Sequence, residues 1–270
     1  MATKAAITSA KKSTSTVTKS ISTTYRSICK TMKGMPIIGA LIVEFIGAFI
    51  LTASFIEMQG NPLFFGFALV GVVLVVGSVT GANPAMTIGS WITRKINWVQ
   101  ALGYIAAQFL GAAVAYWVLN AFLTNSGSSS ALGASPSLFH AAEIVKNKEW
   151  YIFFAELLGT SVLAMGIATA ARVRTNKIVS AFSAGLAVLV ALYIAMSLTT
   201  VLLTAQGVTL SFLNPAIAIV ANGLNGLSWS NMWTLSIFVV APVLGGIIGF
   251  TLQDFLHCIN SENCDCDYCK

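Results

Sequence analysis

Charge is scarce in this chain: Asp, Glu, Lys and Arg make up 9% of its 270 residues, against roughly 25% in an ordinary soluble domain. So few charges cannot cover the water-facing surface of a fold this size, and lipid is the solvent that tolerates such a balance. Histidine is scarcer still, with only His140 and His257, and both lie outside the apolar segments. The carboxylates deepest in those segments, Glu44 and Glu156, sit far apart in the chain. No nucleophile–base pair, metal triad or carboxylate dyad is therefore available at membrane depth, and we expect neither an enzyme nor a cofactor. An ion-coupled transporter is disfavoured for a similar reason, since no array of embedded charges would couple the ion. Residues 1–34 lack the compact apolar stretch of a secretory signal; their acid-free, hydroxyl-rich composition also suits an organellar transit peptide, against which one Arg to six Lys argues weakly.

What the chain has in abundance is apolar length, 56% of it hydrophobic. Six segments stand out, near Pro36–Glu57, Leu63–Val79, Val99–Phe122, Trp150–Ala171, Ile178–Leu203 and Met232–Leu256. Most reach the roughly 20 residues a helix needs to cross about 30 Å of hydrocarbon. Two shorter pieces, Ala85–Ile92 and Ala216–Ala221, cannot span and read as re-entrant or buried half-helices. Basic residues orient the array by the positive-inside bias. With six spans, one face carries 13 of the 15 basic residues, leaving Lys146 and Lys148 opposite. We therefore expect a multi-pass protein of the plasma membrane with both termini cytoplasmic. Its net charge of +6 reflects topology and anionic-lipid affinity rather than nucleic-acid binding. The expected divisions are a disordered basic tail over 1–34, a membrane domain over 35–256, and a Cys-rich tail over 257–270.

The membrane domain reads as two halves, about 36–123 and 150–256. The first span carries Glu44-Phe-Ile-Gly47 and the fourth carries Glu156-Leu-Leu-Gly159. Each is followed by a second span and then by Asn-Pro-Ala, at Asn83-Pro84-Ala85 and Asn214-Pro215-Ala216. Three spans per half put the halves in opposite orientations, an inverted repeat. Asn is a preferred N-cap and Pro a preferred first helical residue, so each triplet is placed to start a helix. A Pro-containing turn would explain either triplet alone, but fits the matched pair badly. Gly103, Ala107 and Gly111 in the third span, and Gly245 and Gly249 in the sixth, form small-residue ladders. These would let equivalent helices of the two halves approach closely.

The segments Gly81-Ala-Asn-Pro-Ala-Met-Thr-Ile-Gly89 and Ser211-Phe-Leu-Asn-Pro-Ala216, with the two Glu-x-x-Gly patterns, resemble the signature motifs of the aquaporin (major intrinsic protein) family. The resemblance covers roughly residues 36–256. It implies an all-α membrane protein of six transmembrane helices and two re-entrant half-helices, with one pore per subunit and subunits gathered as homotetramers. Asn83 and Asn214 would be the central pore donors. Glu44 and Glu156 would be buried acceptors holding the loops, or, on the alternative reading, half-buried acids facing a polar cavity.

Two departures from the family pattern bear on what passes. The first loop, Gly77-Ser-Val-Thr-Gly-Ala-Asn83, is shorter than usual and lacks its His. The family's filter arginine falls on Ile217, and counting back from the motifs puts the other filter positions on Phe65, Leu202 and Ser211. That ring has no charge and one hydroxyl, so the expectation is a wide, weakly selective path or one that gates by dewetting. The expected function is passive permeation of water and/or small uncharged solutes such as glycerol, urea, ammonia or gases. A non-conducting structural or adhesion homologue is the alternative.

His257, Cys258, Cys264, Cys266 and Cys269 cluster at the end of the chain. On a cytoplasmic side disulfides are not expected. The thiolates are candidate ligands for zinc or another soft metal, although they lack two well-spaced Cys-x-x-Cys pairs, and no metal is assigned.

Overall fold

The structure, a computed structural model, describes residues 36–78, 80–125, 144, 146–173, 176–202, 211–223 and 232–260. The chain divides into two units, residues 1–40 and 41–270. The first is described only over Pro36–Ala40, the opening turn of a helix. Eight helices are present among the described residues: α1 Pro36–Glu57, α2 Pro62–Val76, α3 Pro84–Ile92, α4 Trp98–Asn125, α5 Glu149–Arg172, α6 Lys177–Leu202, α7 Pro215–Gly223 and α8 Met232–Asn260. Five of them, α1, α4, α5, α6 and α8, are long and apolar enough to cross a bilayer, while α2 is a shorter apolar helix. With the half-helices α3 and α7 this is the expected architecture, six membrane helices and two re-entrant ones, and the described residues form no strand.

Local chemistry explains most of the boundaries. Three helices start on Asn-Pro: Asn61 caps α2 by accepting from Leu63 N at 3.1 Å, and Asn83 and Asn214 stand before α3 and α7. In each the Asn oxygen takes an orphan N–H, while Pro, which has none, fills the first helical position. The second span is expected to run to Val79 but ends at Val76. Its last stretch, Val72–Val76, is a π-helical turn that stops on Gly77 at φ +86°, a left-handed conformation suited to Gly. Fifteen residues from Pro62 to Val76 cover only about 22 Å, less than the roughly 30 Å of hydrocarbon.

Outward faces are apolar, with Phe67, Leu110, Trp117 and Phe154 among the exposed side chains, as lipid contact demands. Between helices, small residues carry the close approaches. The ladders do not join the two halves as expected. An added Cβ on Gly111 would run into Phe45 O of α1, and one on Gly249 into Ser161 O of α5. The third span thus packs on the first, and the sixth on the fourth, each within its own half. Sequence spacing identifies a small-residue face but not the helix that meets it. The halves meet elsewhere. Gly66 of α2 and Gly185 of α6 face each other, where a Cβ on Gly66 would lie 3.0 Å from Gly185 O. Half-helix α3 lies on α8, with Gly246 so close to Ala85 O that a Cβ would sit 2.5 Å away. The other half-helix, α7, lies on α4.

The ends of α3, α5 and α8 converge on one face. Asp254 of α8 pairs with Lys95 after α3 and with Arg172 at the end of α5, each at 2.5 Å. This is the face where the sequence places the basic excess, and it is called the basic face below.

Candidate pore

Each Asn of the two triplets is used twice. Asn83, at φ −136° and ψ 120°, accepts from Ala85 N at 2.9 Å through Oδ1 and so caps α3. Asn214 Oδ1 accepts from Ala216 N at 3.0 Å and caps α7 in the same manner. The amide ends cross to the opposite loop: Asn83 Nδ2 donates to Leu213 O at 2.8 Å, and Asn214 Nδ2 donates to Ala82 O at 3.3 Å. The two acceptor residues are both left-handed, Ala82 at φ +50° and Leu213 at φ +53°. Non-glycine residues enter this region at a cost, offset here because it turns their carbonyls toward the partner amide. An amide nitrogen carries two hydrogens, so each Asn keeps one donor beyond the cross-loop bond.

The two buried acids hold these loops by different means. Glu156, fully buried, accepts backbone N–H from Phe212 at 2.7 Å and from Leu213 at 3.0 Å. Glu44, 1% exposed, takes side-chain donors instead: Ser78 Oγ at 2.8 Å, Thr80 Oγ1 at 2.7 Å and Gln108 Nε2 at 2.6 Å. Ser78 Oγ in turn accepts from Ala82 N at 3.0 Å. The shortened first loop is thus tied to Glu44 by its hydroxyls. Sequence reasoning missed Gln108, whose signal was an isolated amide in the middle of an apolar span. Its Nε2 also lies 2.9 Å from Thr87 Oγ1 on α3, so it links the acid to the half-helix.

Around the Asn pair is a narrow cavity bordered by Leu51, Phe65, Leu69, Gly81, Asn83, Leu163, Ile167, Val188, Phe212 and Asn214. Its space for the centre of a water molecule is about 10 Å³, room for roughly one water. The walls come from both halves in matched positions: Leu51 and Leu163 each stand seven residues after their buried Glu. Apart from the two Asn side chains the lining is apolar and uncharged. Toward the basic face it adjoins a wider vestibule of about 260 Å³, lined by Val73 to Ser78, Ile167, Ala170, Lys177, Ser180 and neighbours, with Gly81 and Ile167 common to both.

On the opposite side the cavity meets aromatic rings. Phe55 and Phe65 stand edge to face at 5.2 Å, Phe55 and Phe212 are tilted at 5.1 Å, and Phe212 meets Phe238 at 5.3 Å. All four rings are buried. Of the four filter positions read from the sequence, Phe65 borders the cavity. Ile217 and Ser211 are buried but do not border it. Ser211 Oγ has no hydrogen-bond partner among the described residues. Leu202 ends α6, and its side chain lies outside the described residues. Among the described residues, the side of the cavity next to Phe65 and Phe212 is occupied by this aromatic cluster.

In the tail, His257 and Cys258 fall on the last turns of α8, and Cys264, Cys266 and Cys269 lie outside the described residues. Cys258 is disulfide-bonded. This corrects the expectation of reduced thiols, which rested only on the side of the membrane assigned to the tail. A bonded sulfur offers no thiolate to a metal, and among the described residues no three or more His, Cys, Asp or Glu side chains form a candidate metal site.

Comparison with known proteins fits this geometry. The family described as Major intrinsic protein matches residues 32–252. A glycerol uptake facilitator protein-like 6 of Lactiplantibacillus plantarum is 32% identical over 219 residues, which is 77% of this chain and 93% of that protein. Aquaporin AqpM of Methanothermobacter thermautotrophicus is 31% identical over 206 residues, 72% of this chain and 75% of its own length. The solved aquaglyceroporin of Plasmodium falciparum superposes with a TM-score of 0.59 at 22% identity, covering 83% of this chain and 98% of that one, a likeness of fold. An embedded pair of helix-capping Asn residues, two buried Glu anchors and a family match across nearly all of the membrane region lead to one conclusion: the chain is an integral membrane protein of the major intrinsic protein family.

Proposed function

We propose that this chain is a passive channel for water and/or small uncharged solutes of the glycerol, urea, ammonia or gas class. The observation that carries the reading is the pair of Asn amides converging on one narrow, otherwise apolar cavity. A solute leaving water there regains hydrogen bonds from Asn83 and Asn214, while the Leu and Phe walls reject ions that would need a full hydration shell. The N-termini of α3 and α7 meet at the same level, and each contributes about half a positive charge, which opposes cations. No arginine takes part: Phe65, Leu202, Ser211 and Ile217 make an uncharged filter region, with the Ser211 hydroxyl as its one polar side chain. The relatives named for glycerol uptake support solutes larger than water. We further read the channel as a homotetramer in the plasma membrane with both termini cytoplasmic, consistent with the convergence of Lys95 and Arg172 on one face.

The test is stopped-flow light scattering on proteoliposomes, with water and glycerol as permeants. Asn83→Asp and Asn214→Asp each remove an amide donor to the cavity and the cross-loop bond. Each should cut neutral flux about tenfold or more, the scale of one lost charge-free contact in the barrier, and raise cation leak. Wild-type flux no greater than that of empty vesicles sinks the channel reading. That result would favour the second one, a non-conducting structural homologue, for which the cluster of four buried rings beside the cavity is the specific support.

A further inference from the structure

The geometry points to Phe212 as the side chain that closes the pore beyond the Asn pair and decides which solutes pass. This inference rests on the channel reading and names the element that limits it. Phe212 borders the cavity beside Asn214 and Phe65. Its backbone is pinned on both sides. Its N–H is held by Glu156 at 2.7 Å, and the next residue, Leu213, is left-handed at φ +53° with its carbonyl taken by Asn83. The main chain therefore cannot retreat, and only rotation of the ring clears the path. The ring is 1% exposed, wedged between Phe55 at 5.1 Å and Phe238 at 5.3 Å. Phe238 sits in a second π-helical turn, Ser236–Val240, within α8. Such turns interrupt the regular hydrogen-bond ladder and recur at functional positions.

Two properties follow for permeation. Rotation of Phe212 separates it from two ring partners, so flux through the wild type carries a conformational barrier as well as a desolvation barrier. A smaller side chain at 212 removes the first and enlarges the passage, and it favours large solutes over water. Two aromatic contacts of ordinary strength correspond to a rate effect of roughly tenfold or more.

The experiment compares wild type, Phe212→Ala, Phe212→Leu and Phe212→Trp in proteoliposomes, with the lipid-facing Phe67→Ala as control. Water and glycerol permeability are measured at several temperatures. Phe212→Ala should raise glycerol permeability about tenfold or more, raise the glycerol-to-water ratio and lower the activation energy for water. Phe212→Leu should move the same way by less, and it carries the test if the Ala variant does not fold. Phe212→Trp should move all three quantities in the opposite direction, and Phe67→Ala should match wild type. Conduction with a ratio and activation energy unchanged in the Ala and Leu variants overturns the role of Phe212 and leaves the channel intact. Absence of flux in every properly folded variant overturns the channel reading and this inference with it.

Discussion

The two buried acids look equivalent in sequence, yet the structure predicts that neutralising them has unequal consequences. Glu156 receives two backbone N–H groups, from Phe212 and Leu213. A Gln in its place can offer its carbonyl to one of them, but its amide then points hydrogens at the other. That leaves a buried backbone donor without an acceptor, at a cost of about 1–3 kcal/mol. Glu44 receives hydroxyls from Ser78 and Thr80 and the amide of Gln108. Hydroxyls both donate and accept. Gln at 44 can therefore keep its carbonyl toward Thr80 and Gln108 and donate to Ser78 Oγ. Both substitutions replace a buried carboxyl by an amide of the same shape, so the difference between them lies in the hydrogen bonds each keeps. Glu156→Gln should be less stable than Glu44→Gln by roughly 1–3 kcal/mol. For a domain of this size that separates the thermal midpoints by about 2–10 °C. The assay is thermal unfolding of both purified variants in one detergent, followed by loss of monodisperse protein. Equal midpoints, or a lower one for Glu44→Gln, would refute the division into backbone and hydroxyl anchoring.

Two further outcomes are expected. Ile217→Arg places a long guanidinium side chain beside the pore wall and should lower the glycerol-to-water permeability ratio roughly tenfold; an unchanged ratio in proteoliposomes would remove Ile217 from the filter region. Asp254→Asn breaks both ion pairs of the basic face, whose cations Lys95 and Arg172 are 29% and 30% exposed. It should cost about 0.5–2 kcal/mol at low salt and less at high salt, measured as unfolding midpoints over a salt series; a salt-independent loss would contradict the ion-pair origin.

The sequence by itself determined whatever depends on a few neighbouring residues or on bulk composition. Scarce charge and long apolar runs specify membrane helices. Asn83-Pro84 and Asn214-Pro215 specify helix starts, because capping and the missing proline N–H act within one turn. The repeated Glu-x-x-Gly, seen only by comparing two distant segments, marks both loop anchors. Only the tertiary structure decided the rest. The second span stops three residues early because a π-helical turn meets left-handed Gly77. The small-residue ladders turned out to pack within each half, since spacing names a face and not its partner. The amide of Asn83 finds Leu213 O across 130 residues, and Gln108 reaches Glu44 across 64, pairings that no local rule encodes. Phe212 shows the difference most clearly. In sequence it is one apolar residue before a motif, and a missing arginine nearby suggests an open path. In space its ring borders the cavity beside Asn214 and packs between Phe55 and Phe238, rings carried by two distant helices.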